Sequence, residues 1–191
     1  MKKSFTIAVF ASGGGGNFQA LIDGQDKYGY SIKVLITDRQ CDAINRAVTN
    51  DIPYFLIDRA KFQGNFFLEV DNKLSQDIDL IVLAGFMPIL SKGFCDKWEN
   101  KIINTHPSLL PKYGGKGMYG VKIQEAVMKA KEKYAGCTVH YVNAEIDDGE
   151  IILQKAIEVD YSETPWELGG RVFKEENKLL IEAITLIMAR R

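Results

Sequence analysis

Asn104 and His106 stand two residues apart in the run Asn104-Thr105-His106-Pro107-Ser108-Leu109-Leu110-Pro111. In an extended segment residues two apart share a face, so an amide donor and an imidazole would act on the same side. An amide N–H can hold a developing oxyanion and an imidazole can move a proton, which is the equipment of acyl transfer. Taken alone, an Asn-x-His pair is more often structural than catalytic. No Ser, Cys or second His is placed to activate a nucleophile beside it, so a covalent intermediate is not expected.

Two further groups bear on this pair. Asp147 and Asp148 lie in Ala144-Glu145-Ile146-Asp147-Asp148-Gly149, a turn where Asp is common for local hydrogen-bonding reasons, yet a hairpin tip would also carry a carboxylate to partner an imidazole. The chain has only 2 histidines, and His140, inside a strand pattern, reads equally as a core residue or as part of a site. Upstream, Ser12-Gly13-Gly14-Gly15-Gly16-Asn17 follows an apolar run directly. A glycine turn that leads from a strand into a helix presents unpaired N–H groups and the positive end of the helix dipole, which suits phosphate. No Lys-Ser/Thr follows Gly16 and the spacing is not GxGxxG, so neither common nucleotide fingerprint is present. A tight turn without a ligand is the alternative reading. Consecutive glycines are entropically costly, which favours close approach by a ligand.

The elements that must position these residues alternate. Phe5 to Ala11 reads as a strand and Asn17 to about Lys27 as a helix. Ile32 to Thr37 is a second strand, Asp42 to Asn50 a helix, and Tyr54 to Ile57 a third strand entered through Pro53. Phe66 to Gln76 follows as a helix, then Asp79 to Ala84 as a fully buried strand and Lys101 to Asn104 as a short one. The stretch from there to Gly120 is rich in Pro and Gly and reads as a loop of roughly fifteen residues, a length usually tied to function. Val121 to Lys133 is a helix, Cys137 to Asn143 and Glu150 to Val159 flank the Asp147 turn as a hairpin, and a last helix opens at the Ser162/Thr164-Pro165 signals. Alternation with near-continuous apolar strands predicts an α/β fold: a Rossmann-like, mostly parallel twisted sheet with helices on both faces. Asn104 and His106 then sit at a strand end, where open α/β sheets place ligands.

Composition excludes several classes. With 191 residues the chain has room for one sizeable core, and with 46% hydrophobic and 26% charged residues it is not a disordered polyampholyte. A net charge of −1, from 24 basic and 25 acidic side chains, gives no support to a nucleic-acid partner. Lys2 and Lys3 precede an apolar run that ends at the glycines, unlike a signal peptide, and nothing approaches the ~20 apolar residues of a membrane span. Cys41, Cys95 and Cys137 are odd in number and lack CxxC spacing. They read as reduced, buried thiols of a cytoplasmic protein, and no metal site is expected.

Four segments in order resemble a known family: Ser12 through Leu21, Leu83-Ala84-Gly85-Phe86-Met87, Asn104 to Pro111, and Val139-His140-Tyr141-Val142 through Gln154. Together they resemble the phosphoribosylglycinamide formyltransferases of purine biosynthesis, across nearly the whole chain. The Asn-x-His-Pro-Ser-Leu-Leu-Pro run is shared by the wider formyltransferase superfamily, and the glycine-Asn loop narrows it. The resemblance implies one formyltransferase domain over 1–191, with a nucleotide-phosphate half at about 1–100 and a folate and catalytic half at about 101–191. It implies direct transfer of the formyl group of 10-formyltetrahydrofolate, the co-substrate, to the amine of glycinamide ribonucleotide, without a metal. Asn104 would hold the formyl oxygen, and His106, polarised by Asp147, would relay the proton. Gly15, Gly16 and Asn17 would hold the phosphate, and Glu176 the ribose hydroxyls. Phe86, Met87, Pro88, Ile89 and Leu90, with the Asp147 loop, would bind the pterin, and the enzyme would act as a cytoplasmic monomer or weak homodimer with small-molecule partners only.

Three departures stand out. Pro88 takes a position where many relatives carry Arg, and it has no backbone N–H to donate. The loop from Tyr113 to Gly120 lacks the relatives' histidines. Asp148 stands where Gly is frequent, so the choice of Asp147 over Asp148 rests on counting back from Gly149. A 10-formyltetrahydrofolate hydrolase, in which water replaces the amine, is the alternative within the superfamily.

Overall fold

The first strand, β1 (Phe5–Ala11), is buried at every residue, as its unbroken apolar sequence requires of a strand covered on both faces. A computed structural model describes residues 4–191; Met1, Lys2 and Lys3 lie outside the described residues. The element order is β1, α1 (Gly16–Tyr28), β2 (Tyr30–Thr37), α2 (Asp42–Thr49), β3 (Tyr54–Leu56), α3 (Arg59–Phe62) and α4 (Phe66–Asn72). There follow β4 (Leu80–Leu83), α5 (Lys92–Lys97), β5 (Ile102–His106), α6 (Val121–Lys129), β6 (Tyr134–Tyr141), β7 (Ile151–Glu158) and α7 (Pro165–Ala189).

The strands form one sheet in the order β3-β2-β1-β4-β5-β6-β7. β1 pairs in parallel with β2 and β4, β2 in parallel with β3, and β6 runs antiparallel to β7. The expected α/β class and mostly parallel sheet are therefore observed. The chain divides into two compact units, one ending at Ile103 and one spanning Asn104–Arg191, so the boundary falls within β5.

In the first unit α1 and α2 both pack on β2. Helix α1 ends at Gly29 in the left-handed conformation (φ 79°), which glycine adopts at least cost. An aromatic group of Phe10, Phe66, Phe67, Phe86, Phe94 and Trp98 fills the space beside β1. In the second unit α7 packs on β6, β7 and α6. Its helical-period stripe Leu168, Val172, Glu176, Leu179, Leu180, Ala183 and Ile184 is buried, and one member of that stripe is a carboxylic acid. Thr164 and Glu167 close a capping box that fixes where this helix starts.

Several expected boundaries move. The short strand runs to His106 rather than stopping at Asn104, so Thr105 and His106 belong to the sheet and the irregular segment starts at Pro107. The helix expected over Phe66 to Gln76 ends at Asn72, because Lys73 and Leu74 turn out of it with bonds to Val70 and Asp71. Likewise α6 stops at Lys129 and not Lys133, since Lys131 takes a left-handed φ of 55°. β6 begins at Tyr134, earlier than the apolar run from Cys137. Cys95 and Cys137 are buried, whereas Cys41 is only half-buried, at the start of α2.

Candidate functional site

In the second unit β5 carries Asn104, Thr105 and His106, and its alternation sends the outer two to one face and Thr105 to the other. The Asn104 side-chain amide donates to His140 Nε2 at 3.2 Å. The opposite ring nitrogen of His140, Nδ1, donates to the Tyr141 carbonyl at 2.8 Å, which fixes the tautomer and leaves Nε2 as an acceptor. Burial pushes the His140 imidazole below its ordinary value, against the opposing pull of the Tyr141 carbonyl and Asp147, which favours the neutral ring.

Asp147 faces both rings. Its Oδ2 lies 3.6 Å from His106 Nδ1 and its Oδ1 lies 3.8 Å from His140 Nε2. These separations are within ion-pair range and longer than a hydrogen bond. The same carboxylate accepts the Gly115 N–H at 2.9 Å. His106 Nε2 donates to the Tyr113 carbonyl at 2.9 Å, leaving Nδ1 facing Asp147. A proton received at Nδ1 would thus lie between the ring and a carboxylate.

The hairpin register explains why Asp147 takes this place. A Cβ at Gly149 would lie 1.7 Å from the Tyr141 carbonyl oxygen, so only glycine fits there. Two residues earlier Asp147 adopts φ 55°, a left-handed conformation that Asp tolerates better than most residues. Asp148 is exposed and has no bond to either histidine, so Asp147 is the carboxylate that joins the pair.

The chain leaving β5 is pinned from three elements. Gln124 on α6 donates to the Pro107 carbonyl at 2.8 Å. Thr138 on β6 donates to the Ser108 carbonyl at 2.6 Å and accepts the Leu110 N–H at 3.1 Å, while Gln154 on β7 donates to both Thr138 and the Leu110 carbonyl at 2.9 Å. Leu110-Pro111 is a cis peptide. Beyond it Tyr113, at φ 57°, is tied through its hydroxyl to Glu132 at 3.0 Å, which aims its carbonyl at His106.

Glu176 does not join this cluster. It is buried and accepts from Thr105 Oγ1 at 3.0 Å, on the face of β5 away from Asn104 and His106. Burial in the apolar stripe of α7 raises its carboxyl to about 7. The thiols offer no nucleophile: burial pushes Cys137 up to about 12 and raises Cys41 and Cys95 as well. Among the described residues no group of three or more His, Cys, Asp or Glu side chains is arranged to hold a metal ion.

The first unit holds the other expected residues. Gly15 caps α1 in the left-handed conformation (φ 69°), and a Cβ there would meet Ala43 Cβ at 2.9 Å. Gly16 opens the helix, and no side chain caps it. Asn17 is buried, with its Oδ1 unpartnered among the described residues. Ser12 links this loop to the segment after β4, donating its N–H to the Gly85 carbonyl at 3.0 Å and accepting the Met87 N–H at 2.8 Å. In that segment Met87 and Ile89 are exposed, whereas Pro88 and Leu90 are buried and Phe86, half-buried, packs edge-on against Phe10.

His140 is the residue that the sequence left ambiguous and the structure resolves, as the orienting partner of the Asn104 amide. No signal in the sequence marks it, because its bond to Asn104 is made across to β5.

An α/β sheet with an amide, two imidazoles and a carboxylate gathered at the end of a strand defines a class of protein equipped to polarise a carbonyl and move a proton. The sequence profile described as formyl transferase matches residues 5–184. The chain belongs to the formyl transferase family. It is 35% identical to the chloroplastic phosphoribosylglycinamide formyltransferase of Arabidopsis thaliana, over 97% of this chain and 66% of that protein. It is 36% identical to phosphoribosylglycinamide formyltransferase of Bacillus subtilis, over 93% of this chain and 90% of that one. Thus the chain spans less than two thirds of the longest-matching plant relatives, 61% of the one from Vigna unguiculata, and nearly all of the bacterial one. The solved phosphoribosylglycinamide formyltransferase of Coxiella burnetii superposes with a TM-score of 0.91 at 34% identity, covering 99% of this chain and 89% of that one. A formyltetrahydrofolate deformylase from Pseudomonas syringae superposes at 0.89 with 25% identity, covering 100% of this chain but 63% of that one.

Proposed function

We propose that the protein transfers the formyl group of 10-formyltetrahydrofolate to the amino group of glycinamide ribonucleotide. The observation that carries this is the gathering of Asn104, His106, His140 and Asp147 in a chain of this family. The folate co-substrate supplies the formyl group. Exposed Met87 and Ile89, with half-buried Phe86, offer an apolar surface suited to a flat ring system, and Pro88 can offer it only a carbonyl.

In this reading the amine attacks the formyl carbon directly, the new C–N bond forms, and the bond to the folate nitrogen breaks. Asn104 uses one amide N–H on His140, and the second is available to the formyl oxygen as negative charge builds there. His106 takes the proton lost by the attacking amine and returns one to the departing folate nitrogen, with Asp147 offsetting the imidazolium charge in between. Gly15, Gly16 and Asn17 serve the ribonucleotide phosphate, whereas Glu176, buried against Thr105 on the other face of β5, has no part in this proton relay. The cytoplasm is the fitting location for such a reaction on small molecules, although the Arabidopsis thaliana and Vigna unguiculata relatives are described as chloroplastic.

The test is formyl release from 10-formyltetrahydrofolate by the purified protein, with and without glycinamide ribonucleotide. Strict dependence on the amine is expected. Equal release without it would overturn the transferase reading in favour of the hydrolysis carried out by the deformylase neighbour.

A further inference from the structure

In the first unit a set of fixed hydrogen bonds surrounds the glycine loop. Three successive loop carbonyls each have a fixed acceptor role. The Gly13 carbonyl accepts the Ala43 N–H at 3.1 Å, the Gly14 carbonyl accepts Arg46 Nε at 2.7 Å, and the Gly15 carbonyl accepts the Gln19 N–H at 2.9 Å. In a trans peptide the C=O and the following N–H point in opposite directions. Carbonyls held toward α2 therefore turn the N–H groups of Gly14 and Gly15 away from α2, and the Gly15 carbonyl, committed to α1, leaves the Gly16 N–H at the open end of that helix. Space beside Gly13 and Gly14 is open, with nothing within 4 Å of where a Cβ would stand.

Of the three anchors, two are main-chain groups that any sequence would supply. The third is the side chain of Arg46 on α2. Its Nη1 also donates to Gln19 Oε1 at 3.1 Å, and Gln19 in turn donates to Asp23 at 2.9 Å, so the guanidinium locks the loop to the first turn of α1. A fork of donors in fixed geometry suits this double duty, which an ammonium cannot reproduce. We propose that Arg46 is a positioning residue for substrate phosphate: it holds the Gly14 peptide so that the loop's N–H groups present to the anion, and it places a positive charge behind them. This rests on the reading that the loop binds the ribonucleotide phosphate.

The experiment compares glycinamide ribonucleotide with its dephosphorylated ribonucleoside as acceptors, for the wild type and for Arg46→Ala, each checked by thermal melting. The wild type is expected to prefer the phosphorylated acceptor strongly. Arg46→Ala should lower kcat/KM for the ribonucleotide roughly 10-fold, through KM, on the scale of one hydrogen bond to a charged group. The ribonucleoside and the folate KM should be unaffected, and Arg46→Lys should restore part of the preference. Should Arg46→Ala fail to fold, the partial loss in Arg46→Lys carries the test. Equal losses on both acceptors would make Arg46 merely structural, and an undiminished preference would also overturn the proposal while leaving the phosphate site intact. A wild type indifferent to the phosphate would overturn both.

Discussion

At the scale of single residues, the arrangement around His106 sets out which side chains matter. Asn104→Ala, His106→Ala and Asp147→Ala should each lower kcat by about 100-fold or more, the usual scale for an oxyanion or proton-transfer group, with substrate KM little changed. Steady-state kinetics on the three variants checks this. Asp148→Ala, an exposed position outside the cluster, should keep nearly full activity in the same assay. His140→Ala removes the acceptor that holds the Asn104 amide, and about a 10-fold loss in kcat is expected from misorientation alone. Of these residues, Asn104, His106 and Asp147 were legible in the sequence because a motif or a turn marks each. His140 was not, because a histidine in a strand looks the same whether it packs in a core or orients a neighbour; only the partner across the strands tells them apart.

At the scale of elements, the hairpin and the segment after β5 are where stability and activity meet. Gly149→Ala drives a methyl group into the Tyr141 carbonyl, so the β6–β7 turn must shift and carry Asp147 with it. A cost of about 2–3 kcal/mol in denaturant unfolding and a fall in kcat are expected together. Thr138→Val keeps shape but strands the Leu110 N–H and the Ser108 carbonyl, for about 1–3 kcal/mol. The major strands and helices could be read because their apolar periods are strong. The end of β5 could not, because Pro107 and the glycines beyond it mask the two strand residues before them. Short helices α3 and α5 escaped because one or two turns carry no resolvable period. Three-element pinning of residues 107–110 is likewise invisible to a sequence, since its partners Gln124, Thr138 and Gln154 are far along the chain.

For the whole molecule, pH should act through Glu176. Its folded carboxyl titrates at about 7, above the ordinary 4.5, so between those values the folded protein keeps a proton that the unfolded chain has released. The stability tied to this group is complete below about pH 4.5 and is lost as pH rises through about 7, on the order of 3 kcal/mol in all. Urea unfolding at about pH 5 and about pH 8 should therefore show a decline that Glu176→Gln flattens, with Thr105 still able to donate to the amide oxygen. An unchanged slope in that variant would remove Glu176 as the cause. The α/β class and the mostly parallel sheet followed from the alternation of elements, whereas the strand order and the burial of the Glu176 carboxyl in an apolar stripe show only in the fold.

The alternation of β5 has a consequence for how such a chain can evolve. Asn104 and His106 face the cluster of His140 and Asp147 while Thr105, between them, faces the buried acid on α7. Losing or gaining one residue here would exchange the two faces, putting the imidazole against apolar helix and the hydroxyl beside His140 and Asp147. Point substitutions in this strand can be graded in effect, but a change in its length cannot. An insertion in an exposed loop leaves the two faces of β5 as they are, whereas one inside β5 exchanges them.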